Sequence, residues 1–384
     1  MDFEFSEDQK MIIDSARKFL EKECPKDKVR ELKEDEKGYD PDTWKKMVEM
    51  GWMGLIFPEE YEGTGMDFLD LMILIEEMGR NLLPGPFFST VALCSLPILE
   101  FGSSDQKKKI LPKIAYGEKI WALALTEVAA TYEPSGIALQ ATLDGDYVLE
   151  GTKLFVPYAN VADYMLVVAR TSDKMDPKEG ITVFIVDTQS PGIKIDIVPT
   201  AAHDKQCEVN FDKVKVPKEN ILGELDNGWD IVEFIIQRAS VLKSAEMLGG
   251  SQTALNIAND YAKERVQFDK PIGSFQSIQH KLSKMLVDVE GLRFLVYEAA
   301  WKISIGASSA LLNSIVKAKA NTVFQRTCLE GIKVHGAIGF TEELDLGLFF
   351  LLTKASEFAV GGTAFHRERV AVELENYKPL FLSR

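Results

Sequence analysis

The hydrophobic period of this chain changes twice, and those changes constrain the fold more than any other feature. Up to about Gly117, apolar residues recur at helical spacing. From Lys119 to about Leu222 they fall into short strand-like runs, with turn signals at Asp144-Gly145 and Pro191-Gly192. After Leu222 the helical period returns and holds. The pattern predicts an α+β protein: an N-terminal all-helical domain over 1–118, a middle antiparallel β-barrel or sandwich over 119–224, and a C-terminal four-helix-bundle-like domain over 225–384. With 384 residues, the chain exceeds one comfortable core, which agrees with several domains.

Local signals refine this order. Ser6 and Gln9 form a capping box, Met11, Ile12, Ala16, Phe19 and Leu20 supply an apolar helical face, and Pro25 ends that helix. Asp40-Pro41 opens a second helix that Gly51 closes. Asp67 caps an apolar run through Met78, Pro84-Gly85-Pro86 breaks it, and helix resumes from Phe87 to about Ala115 with an interruption at Gly102. Strands are expected at Trp121–Leu125, Tyr147–Leu149, Lys153–Val156, Tyr164–Ala169, Thr182–Val186, Ile193–Ile197 and Cys207–Phe211. Long helices are expected over 228–264, 275–305 and 308–333, with a shorter one ahead of the C-terminus.

Composition narrows the partners. The 44 basic and 59 acidic residues leave a net charge of −15, which argues against nucleic acid. Cys24, Cys94, Cys207 and Cys328 are scattered and fit reduced, buried thiols of a cytoplasmic protein. His203, His280, His335 and His366 are equally dispersed, so no metal site is expected. No signal peptide and no membrane-spanning run is read, and Lys107-Lys108-Lys109 reads as a solvated face.

Between two long helices lies the stretch Ala262 to Gln276, which carries Arg265, Phe268, a Pro271-Ile272-Gly273 turn and Gln276. A cation-bearing elbow of this kind suits an anion, although a surface arginine in such a bend is also commonly just solvated. Four further stretches stand out: Leu125-Thr126-Glu127, Gly151-x-Lys153-x-Phe155-Val156-Pro157, Lys333-Val334-His335-Gly336-Ala337-Ile338-Gly339-Phe340, and Val360-Gly361-Gly362-Thr363 with Phe365.

Taken together these motifs resemble the acyl-CoA dehydrogenase family over nearly the whole chain, and the helix, sheet, helix order is similar to that family's fold. The resemblance implies an FAD-dependent CH–CH oxidoreductase. It implies that Arg265, Phe268, Phe275 and Gln276 meet the FAD diphosphate of a neighbouring subunit, with Asp269 where the family usually has Gly. Leu125, Thr126, Phe155, Val156 and Pro157 correspond to contacts along the flavin, Pro157 replacing a threonine hydroxyl. Lys333, His335 and Gly336 correspond to the adenosine-diphosphate segment, and Thr363 and Phe365 to a further FAD contact. Tyr132 stands where the family has a small serine near the thioester, and barrel packing is its alternative. Arg238 matches an arginine near the CoA entrance, with a surface helix arginine as the alternative, and Gly362 borders the substrate.

The chemistry implied by the resemblance needs a carboxylate to take the α-proton of an acyl thioester, a hydride acceptor at the β-carbon, and donors to the thioester carbonyl. Both family positions for the carboxylate are altered: one is Gly361, the other Gln237 before Arg238, and an amide is no base at neutral pH. Glu246, nine residues beyond Gln237 on the same helix, is a candidate, competing with a helix-surface ion pair.

Three readings follow. The first is an atypical dehydrogenase of a branched, cyclic or unsaturated acyl-CoA, with Glu246, Tyr132, Tyr158 or an unplaced carboxylate as acceptor. The others are a redox-neutral, desulfinase-like lyase and a subunit of a heteromeric dehydrogenase. A flavin-less scaffold is the reading outside enzymology. On the first reading Tyr132, Tyr158, Phe87 and Phe88 suggest a bulky acyl group, and a glutamate at 361 restores ordinary dehydrogenation. Implied partners are an acyl-CoA, electron-transfer flavoprotein or a similar acceptor, and a homotetramer, with a heterotetramer as the alternative.

Overall fold

The computed structural model describes residues 5–376. Helices α1 (Glu7–Glu23), α2 (Lys26–Glu34), α3 (Pro41–Glu49), α4 (Phe68–Asn81), α5 (Leu96–Phe101) and α6 (Ser104–Ala115) come first. Strands β1 (Trp121–Ala124), β2 (Gln140–Asp144), β3 (Asp146–Pro157), β4 (Tyr164–Arg170), β5 (Ile181–Asp187), β6 (Ile193–Val198), β7 (Gln206–Val216) and β8 (Ile221–Leu222) follow. The chain then forms α7 (Gly228–Glu264), a short hairpin β9 (Val266–Gln267) and β10 (Lys270–Pro271), and α8 (Gln276–Ser304), α9 (Ala310–His335), α10 (Leu346–Phe358) and α11 (Thr363–Asn376). The order helix, sheet, helix is the one expected.

The helix signals act as read. Ser6 and Gln9 close the capping box in both directions, and Asp40 accepts from the backbone N–H groups of Asp42 and Thr43. Met11 departs from its expected place: it is exposed, and α1 buries only Ala16 and Leu20. Pro25 ends α1 but leads directly into α2, since a proline is tolerated just ahead of a helix. The stretch Phe88–Ser95 is wound as a π-helix ahead of α5, and is fully buried after Phe88. Its Ser89 Oγ donates to Trp121 O (2.8 Å) and to Pro157 O (3.2 Å).

The eight strands form one sheet in the order β6-β7-β3-β2-β4-β5-β8, with β1 on β4. It is mostly antiparallel, but β1 runs parallel to β4 and β2 meets β4 in parallel through Gln140 and Arg170. The two strands expected at 147–149 and 153–156 are one strand, β3, whose register against β7 shifts between Leu149 and Gly151 and again between Lys153 and Val156. Strands β4 and β5 are buried on both faces, which is why they read as unbroken apolar runs. In β7 the alternation of one covered face is visible.

The chain packs as two compact units. Among the described residues, one holds those up to Val29, Phe68–Leu83 and those from Ser240 onward; the other holds Arg30–Asp67 and Pro84–Ala239. In the first unit α4 crosses α7 with backbone in contact: a Cβ at Gly79 would lie 2.0 Å from Glu246 O, and one at Gly249 2.0 Å from Glu76 O. Beside this crossing the buried carboxylates Glu76 and Glu77 are held by Arg17, Arg80, Arg293 and the Tyr297 hydroxyl. All four cysteines are free and buried, and burial raises the thiols of Cys24, Cys94, Cys207 and Cys328. Among the described residues no single helix is long and apolar enough to cross a membrane.

Candidate functional site

In the sheet-containing unit, the strands at 125 and 153 are locked together from below. Lys153 is fully buried; its Nζ donates to Glu127 Oε1 (2.6 Å) and to Leu125 O (3.0 Å). Glu127 in turn accepts from the backbone N–H groups of Ala138 and Leu139. Burial pushes the Lys153 ammonium down to about 8, against the opposing pull of Glu127. Thr126 Oγ1 donates to Leu154 O, and Leu154 N–H returns a bond to Thr126 O (2.8 Å). Next along the strand, Phe155 adopts φ +54° and is 50% exposed. A bulky residue in the left-handed region is strained, and an uncovered ring on such a backbone is a platform rather than core. Val156 is buried, and Pro157 is half-buried.

The aromatics proposed around an acyl group divide. Phe87 is core, and the Tyr158 hydroxyl accepts from Gly85 N–H at 2.8 Å, so both have structural work. Tyr132 and Phe88 remain half-buried. On the first turns of α7, Gln237 Nε2 donates to Glu233 Oε1 at 3.0 Å. Arg238 lays its guanidinium 3.5 Å over the Phe234 ring, and Phe234 meets Phe101 edge-on at 5.1 Å. Burial lowers the Arg238 pKa, with Glu100 opposing. Among the described residues this guanidinium has neither a hydrogen bond nor an ion pair, an arrangement that calls for an anion from outside.

In the other unit the elbow is a two-residue hairpin. Phe268 and Asp269 both have positive φ (53° and 63°), and Gln267 pairs with Lys270. This is the mirror-image turn that twisted strands prefer, and aspartate tolerates it where glycine would otherwise stand. Phe268 is 86% exposed, meets Phe275 edge-on, and Lys270 Nζ sits 4.5 Å over the Phe275 ring. Arg265 is exposed and has no ion-pair partner among the described residues. Gln276 opens α8, whose N-terminus has no side-chain cap.

The segment after α9 corrects two expectations. His335 is buried, stacks on Tyr261 (4.2 Å between centroids) and bonds Gly331 O through Nδ1. Lys333 pairs with Glu330 at 2.6 Å. Both side chains are thus engaged within the helices. Gly336 has φ +67°, which favours glycine, and a Cβ there would meet nothing within 4 Å.

The loop at 361 is clamped by a lysine that sequence reasoning missed. Lys317 is fully buried, and its Nζ donates to Asn321 Oδ1 (2.7 Å) and to the carbonyls of Ser356, Glu357 and Gly361 (3.0, 3.0 and 3.2 Å). Burial pushes it down to about 7, with Lys243 adding to the shift and Glu357 and Glu246 opposing it. Four oxygens around one ammonium cap the C-terminus of α10, as a cation there should. Thr363 Oγ1 donates to Glu357 (3.1 Å) and accepts from Asn321 (3.3 Å). Arg369 lies 5.5 Å over the Phe365 ring, and Gly362 is half-buried.

Gly361 itself has φ +104°, and a Cβ there would fall 2.4 Å from the Phe365 ring and 2.9 Å from His366 Nε2. A glutamate placed at 361 is therefore opposed by backbone and packing alike, and the expectation that it restores ordinary chemistry is withdrawn. Gly361→Glu is expected to cost about 1–3 kcal/mol of stability, read as a lower denaturant midpoint. Glu246 is corrected as well: Lys243 forms an ion pair with it, one turn away on the same helix.

The sequence patterns of the acyl-CoA dehydrogenase N-terminal, middle and C-terminal domains match residues 6–118, 122–214 and 226–374. A probable acyl-CoA dehydrogenase of Bacillus subtilis is 31% identical over 385 residues, spanning 97% of this chain and 100% of that protein. The short-chain-specific acyl-CoA dehydrogenase of Megasphaera elsdenii is 35% identical over 356 residues, 89% of this chain and 91% of that protein. The structure of butyryl-CoA dehydrogenase from Megasphaera elsdenii has a TM-score of 0.91 at 30% identity, covering 98% of this chain and 100% of that one. With a whole-length match in sequence and in fold, the chain belongs to the acyl-CoA dehydrogenase family of FAD-dependent CH–CH oxidoreductases.

Proposed function

We propose that this protein is an acyl-CoA dehydrogenase for a branched, cyclic or unsaturated acyl-CoA, with a proton acceptor that does not reside at residue 361. The half-exposed Phe155, two residues along β3 from the buried Lys153 that pairs with Glu127, is the observation that carries the flavin half of this reading. Thr126, Leu125, Val156 and Pro157 would line the flavin ring, Arg265, Phe268, Phe275 and Gln276 the diphosphate of a neighbouring chain, and Gly336, Thr363 and Phe365 the rest of the cofactor. When bound, FAD supplies the acceptor for the hydride of the β-carbon. The protein's own part is to fix the thioester, strengthen the acidity of its α-proton and accept that proton.

Arg238, which has no hydrogen bond or ion pair among the described residues, suits an anionic part of the CoA ester. The three domains would follow 1–118, 119–224 and 225–384, and an electron-transfer flavoprotein or similar acceptor would reoxidise the flavin. Phe268, Val287, Phe294, Phe340 and Phe358 leave apolar surface on the helical unit, which supports association of at least two chains. A homotetramer is the assembly proposed, and a heterotetramer is the alternative. A second reading, redox-neutral elimination, is favoured by the absence of a side chain at 361 and the amide at 237.

Anaerobic mixing of the flavin-loaded protein with candidate acyl-CoA esters separates these. Bleaching of the flavin band is the expected result; product formation without bleaching favours elimination, and neither points to a subunit that needs a partner. Arg265→Gln tests the elbow. Removing one charge-assisted contact worth about 1.5–3 kcal/mol should weaken FAD binding by roughly 10- to 100-fold, with the denaturant midpoint of the apoprotein unchanged.

A further inference from the structure

Both ends of the segment 127–138 are set against β3. Thr126 exchanges bonds with Leu154, the residue before Phe155. At the other end, a Cβ on Gly151 would lie 3.2 Å from Leu139 Cα. The Glu127 carboxylate closes this base by accepting from the N–H groups of Ala138 and Leu139. The loop between therefore starts and ends next to the strand segment that carries Phe155. Its first half is open, with Val128, Ala129 and Ala130 exposed and Tyr132 half-buried, while its second half buries Pro134, Gly136 and Ile137.

What holds the buried half is Arg170, the last residue of β4. Its side chain is buried, and among the described residues it has no carboxylate partner. Instead Nε donates to Ile137 O (3.1 Å) and Nη2 to Pro134 O (2.9 Å), while Nη1 and Nη2 reach Glu179 O (3.0 Å) and Pro177 O (3.2 Å). The Arg170 backbone N–H donates to Leu139 O at 2.8 Å. A buried guanidinium without a counter-charge carries a desolvation cost that an apolar residue at this end of the sheet would not. Its donors are spent on the carbonyls of two loops, so what it contributes is their fixed position.

We infer that Arg170 is a positioning residue for acyl-group selection: through Pro134 O and Ile137 O it holds the 128–137 loop, and Tyr132 with it, as a fixed wall next to Phe155. On the dehydrogenase reading, on which this role rests, the flavin meets Phe155 and the acyl group is oxidised next to it. A wall that cannot give way selects by shape, whereas a mobile one admits either shape.

The test uses the full-length, flavin-loaded protein, an artificial electron acceptor and two pairs of esters with equal carbon number. These are isobutyryl-CoA against butyryl-CoA and cyclohexanecarbonyl-CoA against heptanoyl-CoA. Arg170→Lys keeps the charge but not the planar fork that reaches both loops. Within a pair, the ratio of kcat/KM should move toward unity by about 10-fold, the lower end of what shape discrimination in an apolar pocket supplies. Hydrogen exchange over 128–137 should quicken by about 10-fold, with 164–169 and 181–187 as protected as in the wild type. Thr171→Val is the control. The Thr171 hydroxyl bonds Asp226 and Thr182, so its loss disturbs the same end of the sheet without touching the 128–137 loop, and the ratio should stay as it was. A wild-type ratio in Arg170→Lys, an equal shift in Thr171→Val, or exchange that quickens alike throughout the sheet overturns the role. A wild type that none of the four esters bleaches overturns the dehydrogenase reading instead, and the exchange pattern still reports whether Arg170 holds the loop.

Discussion

Alanine at Gly249 is expected to lower the stability of the protein by about 3 kcal/mol, at the upper end of what overpacking costs. The reason is geometric. A methyl group at this position would lie 2.0 Å from Glu76 O and 2.8 Å from Arg80 N, and both obstacles are backbone. Alanine has no rotamer with which to avoid them, so α4 and α7 must move apart. Moving them also disturbs Glu76, whose carboxylate bonds Arg80 on its own helix and Arg293 and Tyr297 on α8. Gly250→Ala is the built-in comparison: its methyl would meet the Phe324 ring at 2.8 Å, and a side chain can give way. Denaturant midpoints should therefore rank wild type, then Gly250→Ala, then Gly249→Ala. Equal midpoints for the two variants would mean that the crossing is looser than described.

Lys153→Met is expected to cost about 3 kcal/mol and most of the flavin affinity. Removing one partner of a buried ion pair strands the other, at about 3–5 kcal/mol. The lower figure applies because Glu127 keeps its bonds from Ala138 and Leu139 N–H. Leu125 O also loses its donor, which leaves the strand bearing Thr126 tied to the strand bearing Phe155 through the Thr126–Leu154 bonds alone. The pH dependence has a definite sign. Lys153 has a folded-state pKa of about 8, below its unfolded value of 10.5, so between these limits the unfolded chain binds more protons. This lysine then makes stability rise with pH from about 8 to 10.5. Lys153→Met should remove that rise, which a series of urea midpoints across this range will register. A rise unchanged in the variant would assign it to another group.

The extents of the long helices were legible because their signals are local. The helix expected over 228–264 spans Gly228–Glu264, since a sustained period and a terminal break are properties of neighbouring residues. Strand β2 was not legible: Gln140, Ala141 and Asp144 give it little β character, and it exists because β3 pairs with it. The hairpin at Phe268-Asp269 lacks the usual Asn-Gly signal, and aspartate in the left-handed region replaces it. In the candidate site the motifs located backbone positions such as Phe155 and Gly336, but not what each side chain does. His335 was read as a cofactor contact because its motif allowed it; only the fold brings Tyr261 against its ring. Lys317 carried no sequence signal, since its partners at 356, 357 and 361 are created by the end of α10.

A crystal structure of the FAD-loaded protein with an acyl-CoA bound would test the whole account most directly. It should place the isoalloxazine against Phe155 and Arg265 on the diphosphate of a neighbouring chain's FAD. A nucleotide remote from the 265–276 hairpin, or a carboxylate of the 361–365 loop region over the substrate, would contradict it.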